Sequence, residues 1–399
     1  MKSNKARIGT VFLSLLIFLI LGGLGLTFYR QMHHIAKLEK TIAKRQGAER
    51  LMMDQMAVTL DQMMKSVGKK LTILPSELKN VPCAWQMGVV EDVRTLEVGS
   101  IFAPYNGSIL EKEEGGYDLF FRYDEPKELW KQGSFYSHIG YAELDKDFQV
   151  LKVVDKVDTG SDYSEDPRIV RVGKSYFLSW NDLVDHSKKA RSIHVGEWNP
   201  KKCKLEYVTD LQQCIKPIEK NWVPFERIVD GKPSLGFVYG IYPHKILGLQ
   251  NPKYNEISHL IRKGYTALAN INWSALWGPL CGGTTARLIG KEYISFFHSA
   301  FKDADKKLWY VMGAYTFSAT FPYEVTSVTP YPILFPGIYS TDIRNTADPG
   351  KNCIFPAGIA LEQKDKKTLL HVSCGENDSS IKIVTIDYDK LRKMMVPVN

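Results

Sequence analysis

From Pro82 onward the chain is a succession of short apolar segments, too brief for helices and too numerous for one open sheet. Tyr117 to Tyr123, Gln149 to Val154, Ser175 to Trp180, Leu235 to Tyr239, Tyr293 to His298, Leu308 to Tyr315, Leu369 to Ser373 and Ile381 to Ile386 are rich in β-branched and aromatic residues. Gly, Asp, Asn and Lys turns divide them. Such runs read as strands, and helical periodicity is nearly absent over these roughly 320 residues. An open sheet leaves edges that template aggregation, whereas radial repetition protects them. The expectation is an all-β fold, a five-bladed β-propeller over residues 80–399 with roughly 60 residues per blade. A pair of β-sandwiches is the alternative that periodicity alone does not separate.

The first 80 residues have a different texture. Ile8 to Tyr29 is an uncharged run of 22 residues preceded by Lys2, Lys5 and Arg7, long enough as a helix to span a bilayer core. It reads as an uncleaved signal-anchor, so residues 1–30 are expected to form a cytoplasmic tail and a transmembrane helix. Arg30, Lys37, Lys40, Lys44 and Arg45 follow the span and outnumber the cations before it. Because long domains translocate largely regardless of charge, the expected placement is a single-pass membrane protein with its body on the non-cytoplasmic side. Ile35, Leu38, Ile42, Met52, Met56, Leu60 and Met63 recur at helical intervals, which predicts a helical stalk over 31–79 closed by Leu74-Pro75 and able to support a homo-oligomer.

The formal net charge of +8 is inflated by these flanks. No basic, aromatic-interleaved motif points to nucleic acid. The six cysteines include no CxxC pair, so no metal or other cofactor is expected.

In the body, polar groups gather at the ends of strands. In order these are Tyr105-Asn106-Gly107-Ser108-Ile109, Phe120-Phe121-Arg122-Tyr123-Asp124, Ser164-Glu165-Asp166-Pro167-Arg168-Ile169 and Trp180-Asn181-Asp182. Glu219-Lys220-Asn221-Trp222-Val223-Pro224-Phe225-Glu226-Arg227 and Tyr242-Pro243-His244-Lys245 follow, then Gly282-Gly283-Thr284-Thr285-Ala286-Arg287 with its strand to His298, Ile354-Phe355-Pro356, and Cys374-Gly375-Glu376-Asn377-Asp378-Ser379. Polar groups packed this densely beside large apolar ones are costly to bury unless a ligand or partner completes them.

In this order, over about residues 100–388, the motifs resemble glycoside hydrolase family 130 and the related glycosyltransferase family 108, five-bladed propellers that act on β-mannosides. The resemblance implies that Asp166 is the catalytic acid, protonating the glycosidic oxygen directly or through a sugar hydroxyl. It implies that Asn106, Ser108 and Asp378 hold the sugar by its hydroxyls, and that Arg122 and Arg227 stand where the family places cations for sugar or phosphate. Lys220, His244, Arg287 and His298 are further candidates around the same cleft, with Arg168 as the partner of Asp166 and Trp222 as either a stacking platform or core. The chain departs from phosphorylases of the family in having Glu-Lys-Asn-Trp before Pro-Phe, and Glu-Asn-Asp in place of Ala-Ala-Asp or Cys-Ala-Asp.

Inverting hydrolysis needs a second carboxylate about 6.5–9.5 Å from the acid to activate water. Phosphorolysis needs cations for the attacking anion instead. Seven candidate cations (Arg122, Arg168, Lys220, Arg227, His244, Arg287 and His298) favour an anionic co-substrate: phosphate, a sugar 1-phosphate or a nucleotide sugar. The expected activity is that of a membrane-anchored phosphorylase or transferase moving a β-mannosyl unit with inversion. A hydrolase using Glu165, Glu226 or Glu376 as base is one alternative, and a non-catalytic glycan-binding propeller is another. Asn106, Asn272 and Asn377 open formal glycosylation sequons, two of them inside the expected cleft, where a glycan would block substrate.

Overall fold

The structure, a computed structural model, describes residues 74–99, 101–126, 129, 136–211, 217–251, 256–260, 273–343 and 351–398. The chain divides into two units, 1–71 and 72–399. The first lies outside the described residues.

The second unit begins with a short helix, α1 (Ser76–Lys79), and strand β1 (Val90–Leu96). The first sheet follows as β2 (Tyr105–Glu111), β3 (Tyr117–Asp124), β4 (Ser137–Leu144) and β5 (Val150–Val154). The second is β6 (Glu165–Val172), β7 (Ser175–Asp185), β8 (Ala190–Asn199) and β9 (Lys204–Asp210), and the third is β10 (Val223–Val229), β11 (Lys232–Gly240), β12 (Lys245–Asn251) and β13 (Glu256–Leu260). A seven-stranded sheet comes next, built from β14 (Cys281–Gly282), β15 (Arg287–Ile289), β16 (Glu292–Lys302), β17 (Leu308–Ser318), β18 (Val325–Val328), β19 (Lys351–Asn352) and the late strand β23 (Val396–Pro397). The last sheet holds β20 (Ile354–Lys364), β21 (Lys367–Glu376) and β22 (Ser380–Asp387), and β1 pairs antiparallel with β22 to complete it. Helix α2 (Tyr388–Met394) follows β22, capped by the Asp387 side chain.

Sheets touch their neighbours chiefly through their first two strands. β2 lies against β6 and β20, β6 against β10, β14 against β11, and β16 against β20, which closes them into the ring of a β-propeller. Inner strands are covered on both faces, and β2 is buried at six consecutive positions, which is why it reads as a continuous run of apolar and small residues rather than an alternation. The outer strand β5 has no fully buried residue. Between sheets the core is aromatic: Phe120 and Tyr141 of the first sheet meet Trp180 and Trp198 of the second, with Phe120 edge-on to Trp198 at 4.8 Å. Each such ring contributes roughly 1.5–3 kcal/mol by leaving water.

Two expectations are corrected here. The five-bladed propeller is corrected: four sheets are regular four-stranded blades, and the remaining one is a seven-stranded assembly that recruits segments from far along the chain. Neither the transmembrane helix nor the helical stalk is found among the described residues. Among the described residues no helix is long and apolar enough to cross a membrane, and the longer of the two α-helices, α2, has seven residues. The segments on which anchor, stalk and stalk-mediated oligomer rested, 8–29 and 31–73, lie outside the described residues. The membrane partner, the single-pass placement and the non-cytoplasmic body lose their structural support with them. At the end of the expected stalk, α1 belongs to the body: Leu78 is fully buried in the main core, and the Glu77 carbonyl accepts from Trp277 Nε1 at 3.5 Å.

Candidate functional site

Three inner strands share one irregularity. The register of β2 against β3 slips between Tyr105 and Ser108, that of β6 against β7 between Glu165 and Arg168, and that of β20 against β21 between Pro356 and Gly358. In the first two, one residue takes a left-handed backbone, Asn106 at φ 46° and Asp166 at φ 53°. Asn and Asp tolerate that region better than most residues. A bulge at a strand end re-aims a side chain, and these two are aimed at each other: Asn106 Nδ2 donates to Asp166 Oδ1 at 2.8 Å.

Arg122, near the end of β3, supplies the cation. Its Nη1 lies 3.3 Å from Asp166 Oδ1, its Nη2 3.3 Å from Glu165 Oε1 and its Nε 3.1 Å from Asp124 Oδ1. Arg191 reaches the same Glu165 oxygen at 3.0 Å. Tyr105 donates to Asp124 at 2.6 Å, and its ring lies beneath the Arg122 guanidinium. Asp378, on the turn after β21 at φ 47°, is ion-paired with Lys351. It stands within electrostatic reach of Arg122 and Asp166.

Burial pushes the Asp166 carboxyl upward, but Arg122, Arg168, the Asn106 hydrogen bond and Lys220 outweigh it and hold the group at about 2. Asp378 goes the other way: burial raises it, and Lys351 and Arg122 only partly oppose that. Glu165 is also raised by burial against Arg122 and Arg191. Both Asp166 contacts fall on Oδ1, and Oδ2 receives no hydrogen bond from the described residues. The result is an ionised, oriented carboxylate with one oxygen open.

The other expected site residues divide. His298 is buried against Phe355, ring centroids 4.4 Å apart, and pairs across the ladder with Cys281. Burial first, then Arg168, lowers it to about 3, so it stands beside the site as a neutral ring. Lys220 is exposed and felt by both Asp166 and His298. Arg168 is committed to backbone carbonyls, donating to Gly283 at 2.6 Å and to Asp166 at 3.1 Å. Burial lowers it to about 10. Ser108 is fully buried and its Oγ accepts from Ile169 N at 3.1 Å, a strut between β2 and β6.

Four residues sit elsewhere. Trp222 is core, packed with Phe237 and Tyr239 and donating to Glu219 at 3.1 Å. Arg227 lies over Gly236 and Gly248 and against Tyr323, while His244 packs on Tyr315 and Phe317 and is lowered to about 4 by burial. Arg287 pairs with Glu111, at the far end of β2 and about 17 Å along the strand from Asn106. The expected bases are occupied too. Glu226 accepts from Gly173 N at 2.7 Å, and the fully buried Glu376 accepts from Tyr339 N and Thr341 N and pairs with Lys382. The sequon residues Asn106 and Asn377 are buried, whereas Asn272 lies outside the described residues.

Sequence reasoning missed the supporting shell of Tyr105, Asp124, Arg191 and Lys351. Asp124 had a signal, since it follows Arg122 by two and so shares its face of β3. Arg191 and Lys351 had none, because their partners are brought up by other strands.

Among known proteins, no family model matches the chain, and no curated protein does either. Solved structures do. A glycosyl hydrolase from Bacteroides ovatus matches at 13% identity over 75% of this chain and 87% of its own, with a TM-score of 0.50. A β-1,2-mannobiose phosphorylase from Listeria innocua matches at 16% identity over 75% and 94%, TM-score 0.49. A GDP-Man-dependent mannosyltransferase from Leishmania mexicana matches at 14% identity over 76% and 92%, TM-score 0.47. At these identities the likeness is one of fold, and it rests on the first of the three.

Proposed function

We propose that this chain is a carbohydrate-active enzyme that moves a glycosyl unit between a sugar hydroxyl and a phosphorylated donor or phosphate, with Asp166 as the proton-transferring group. The observation that carries the reading is the state of Asp166: ionised, clamped at Oδ1 by Asn106 and Arg122, and open at Oδ2. That is the form a general base must have to take the proton of an acceptor hydroxyl as the hydroxyl oxygen attacks the anomeric carbon of an activated donor. In the reverse direction the same oxygen returns the proton to the glycosidic oxygen. A donor that carries its own phosphate leaving group removes the need for a second carboxylate to activate water. Glu165, Glu226 and Glu376 are each held in ion pairs or backbone hydrogen bonds, which weighs against their serving as that base. Of the seven expected cations, Arg227, His244 and Arg287 sit elsewhere, Arg168 and Arg122 are held by carbonyls and carboxylates, and His298 is a neutral ring. The co-substrate anion is therefore assigned to Lys220, with Arg122 and Lys351 shaping the field around it. The resemblance of the motifs to mannoside phosphorylases and transferases makes a mannoside the first substrate to try.

One observation favours a hydrolase as the second reading. Asp166 is held low and Asp378 is raised within the same site, and carboxylates pushed apart in this way are how acid and base roles are divided. The full chain, incubated with mannose 1-phosphate or GDP-mannose and a panel of mannosides, separates the two. Donor-dependent release of phosphate or GDP that disappears in Asp166→Asn supports transfer. Phosphate-independent cleavage lost in both Asp166→Asn and Asp378→Asn supports hydrolysis.

A further inference from the structure

At the approach to β6, with Tyr163 in its wall, lies an open cleft of about 500 Å³, within the size range of small-molecule sites. Its wall is the stretch from Ser161 to Tyr163 leading into β6, faced by His186 on the β7–β8 turn and by Lys156 and Asp158 after β5. Tyr163 and His186 stand edge to face, 4.6 Å between centroids at 83°, and Tyr136 extends the aromatic surface at 5.6 Å from Tyr163.

This wall is fixed. Ser137 N donates to the Asp162 carbonyl at 2.9 Å and Arg191 Nη2 to the Tyr163 carbonyl at 2.7 Å. Ser161 and Ser164 each donate to Asp182 at 2.7 Å. Arg191 also holds Glu165, which shares Arg122 with Asp166, so two guanidinium groups bridged by Glu165 tie the wall to the proposed catalytic carboxylate. Tyr163 and Asp166 are three positions apart, at most about 11 Å between Cα atoms.

Charge narrows what the cleft can take. Lys156 is paired with Asp162 at 2.6 Å, and the exposed Asp158 leaves no positive excess for a phosphate or a nucleotide. Aromatic faces beside carboxylates, which can each accept several hydroxyl hydrogen bonds, suit a neutral polyol with an apolar C–H face. From this we infer that the cleft is a subsite for a further sugar unit of a neutral oligosaccharide acceptor, resting on the proposed transfer reading, with Tyr163 and His186 as the stacking corner and Asp158 and Asp162 as hydroxyl acceptors.

The test compares kcat/KM of the full chain for a mannoside monosaccharide acceptor and for the corresponding trisaccharide. The preference for the trisaccharide should fall roughly five- to tenfold in Tyr163→Ala, and by a similar factor in His186→Ala. Tyr163→Phe, which keeps the ring, should restore it. An unchanged preference in the alanine variants, or equal losses on both acceptors, overturns the subsite. Saturation-transfer NMR with the trisaccharide keeps this separate from the transfer reading. If no donor is ever turned over but trisaccharide contacts are seen and vanish in Tyr163→Ala, the cleft stands and transfer falls. If neither turnover nor contacts are seen, the cleft falls as well.

Discussion

Asp166 owes its character to neighbours drawn from two sheets. Asn106 comes from the first strand of one, Arg122 from the second strand of the same sheet, and Arg168 from its own strand, where it is turned toward Gly283, just after β14 of the seven-stranded sheet. A carboxyl whose folded value is depressed keeps its ionised form above the ordinary carboxylate value and loses it only as pH falls through the folded one. For Asp166 that is about 2. If Asp166 is the base, kcat/KM for a neutral acceptor should therefore show no acidic limb between pH 4 and 7, since His298, at about 3, is already neutral there. A limb centred near pH 6 in the wild type would assign the proton to another group. The Lys382–Glu376 pair is a second residue-scale case, with both side chains all but excluded from water. Removing one partner of a buried pair typically costs about 3–5 kcal/mol, so Lys382→Met should lower stability by that amount in urea titrations. A loss under about 1 kcal/mol would show that the backbone donors of Tyr339 and Thr341 satisfy Glu376 on their own.

At the level of elements, strand ends build the site and glycines permit it. Gly375, on β21, lies so close to Asn106 that an added Cβ would fall 2.6 Å from its backbone nitrogen. Gly375→Ala must displace the bulge that presents Asn106, and with it the hydrogen bond to Asp166. At the upper end of overpacking costs, about 3 kcal/mol expressed in the transition state is roughly a hundredfold in rate, so kcat should fall about that far while circular dichroism and KM for donor stay near wild type. Equal activity in the two proteins would remove Asn106 from the machinery. The eight apolar runs of the sequence all lie on strands, and those on β16 and β21 record burial on both faces, whereas β5 has no fully buried residue. The two bulges went unread: Asn106-Gly107 and Asp166-Pro167 showed only as polar groups at strand ends. The destinations of Arg168, Arg227 and Arg287 were not legible either. A guanidinium at a strand end can reach the axis, the next sheet or the far end of its own strand, and residues distant in sequence decide among these: the Gly283 carbonyl, the slot above Gly248 and Glu111. The seven-stranded sheet was equally hidden, since β19 and β23 are two-residue strands with no periodicity to read.

For the molecule as a whole, ring closure depends on one strand. β1 pairs with β22 over Val90 to Leu96, and without it the last sheet would present a long unpaired edge. Val93 sits in the middle of that ladder opposite Val384. The Val93 N–H is turned away to Asp92 Oδ1 at 2.9 Å, so it is the next residue, Arg94 opposite Ile383, whose N–H faces β22. Arg94→Pro removes that donor and forces the strand apart, and should destabilise by about 2–3 kcal/mol or more. Limited proteolysis would show cleavage spreading from β1 into β22. An unshifted melting curve would mean that the inter-sheet aromatic core closes the ring without this ladder.

The same pairing sets an order on biosynthesis. β1 leaves the ribosome nearly 300 residues before its partner β22, so a growing chain carries an unmatched β-edge for almost the whole of its translation. A polypeptide arrested anywhere before Ser380 keeps that edge exposed indefinitely. Truncated products of this protein are therefore the species on which chaperones and proteases must act, and finishing the final sheet is the event that releases the chain from their care.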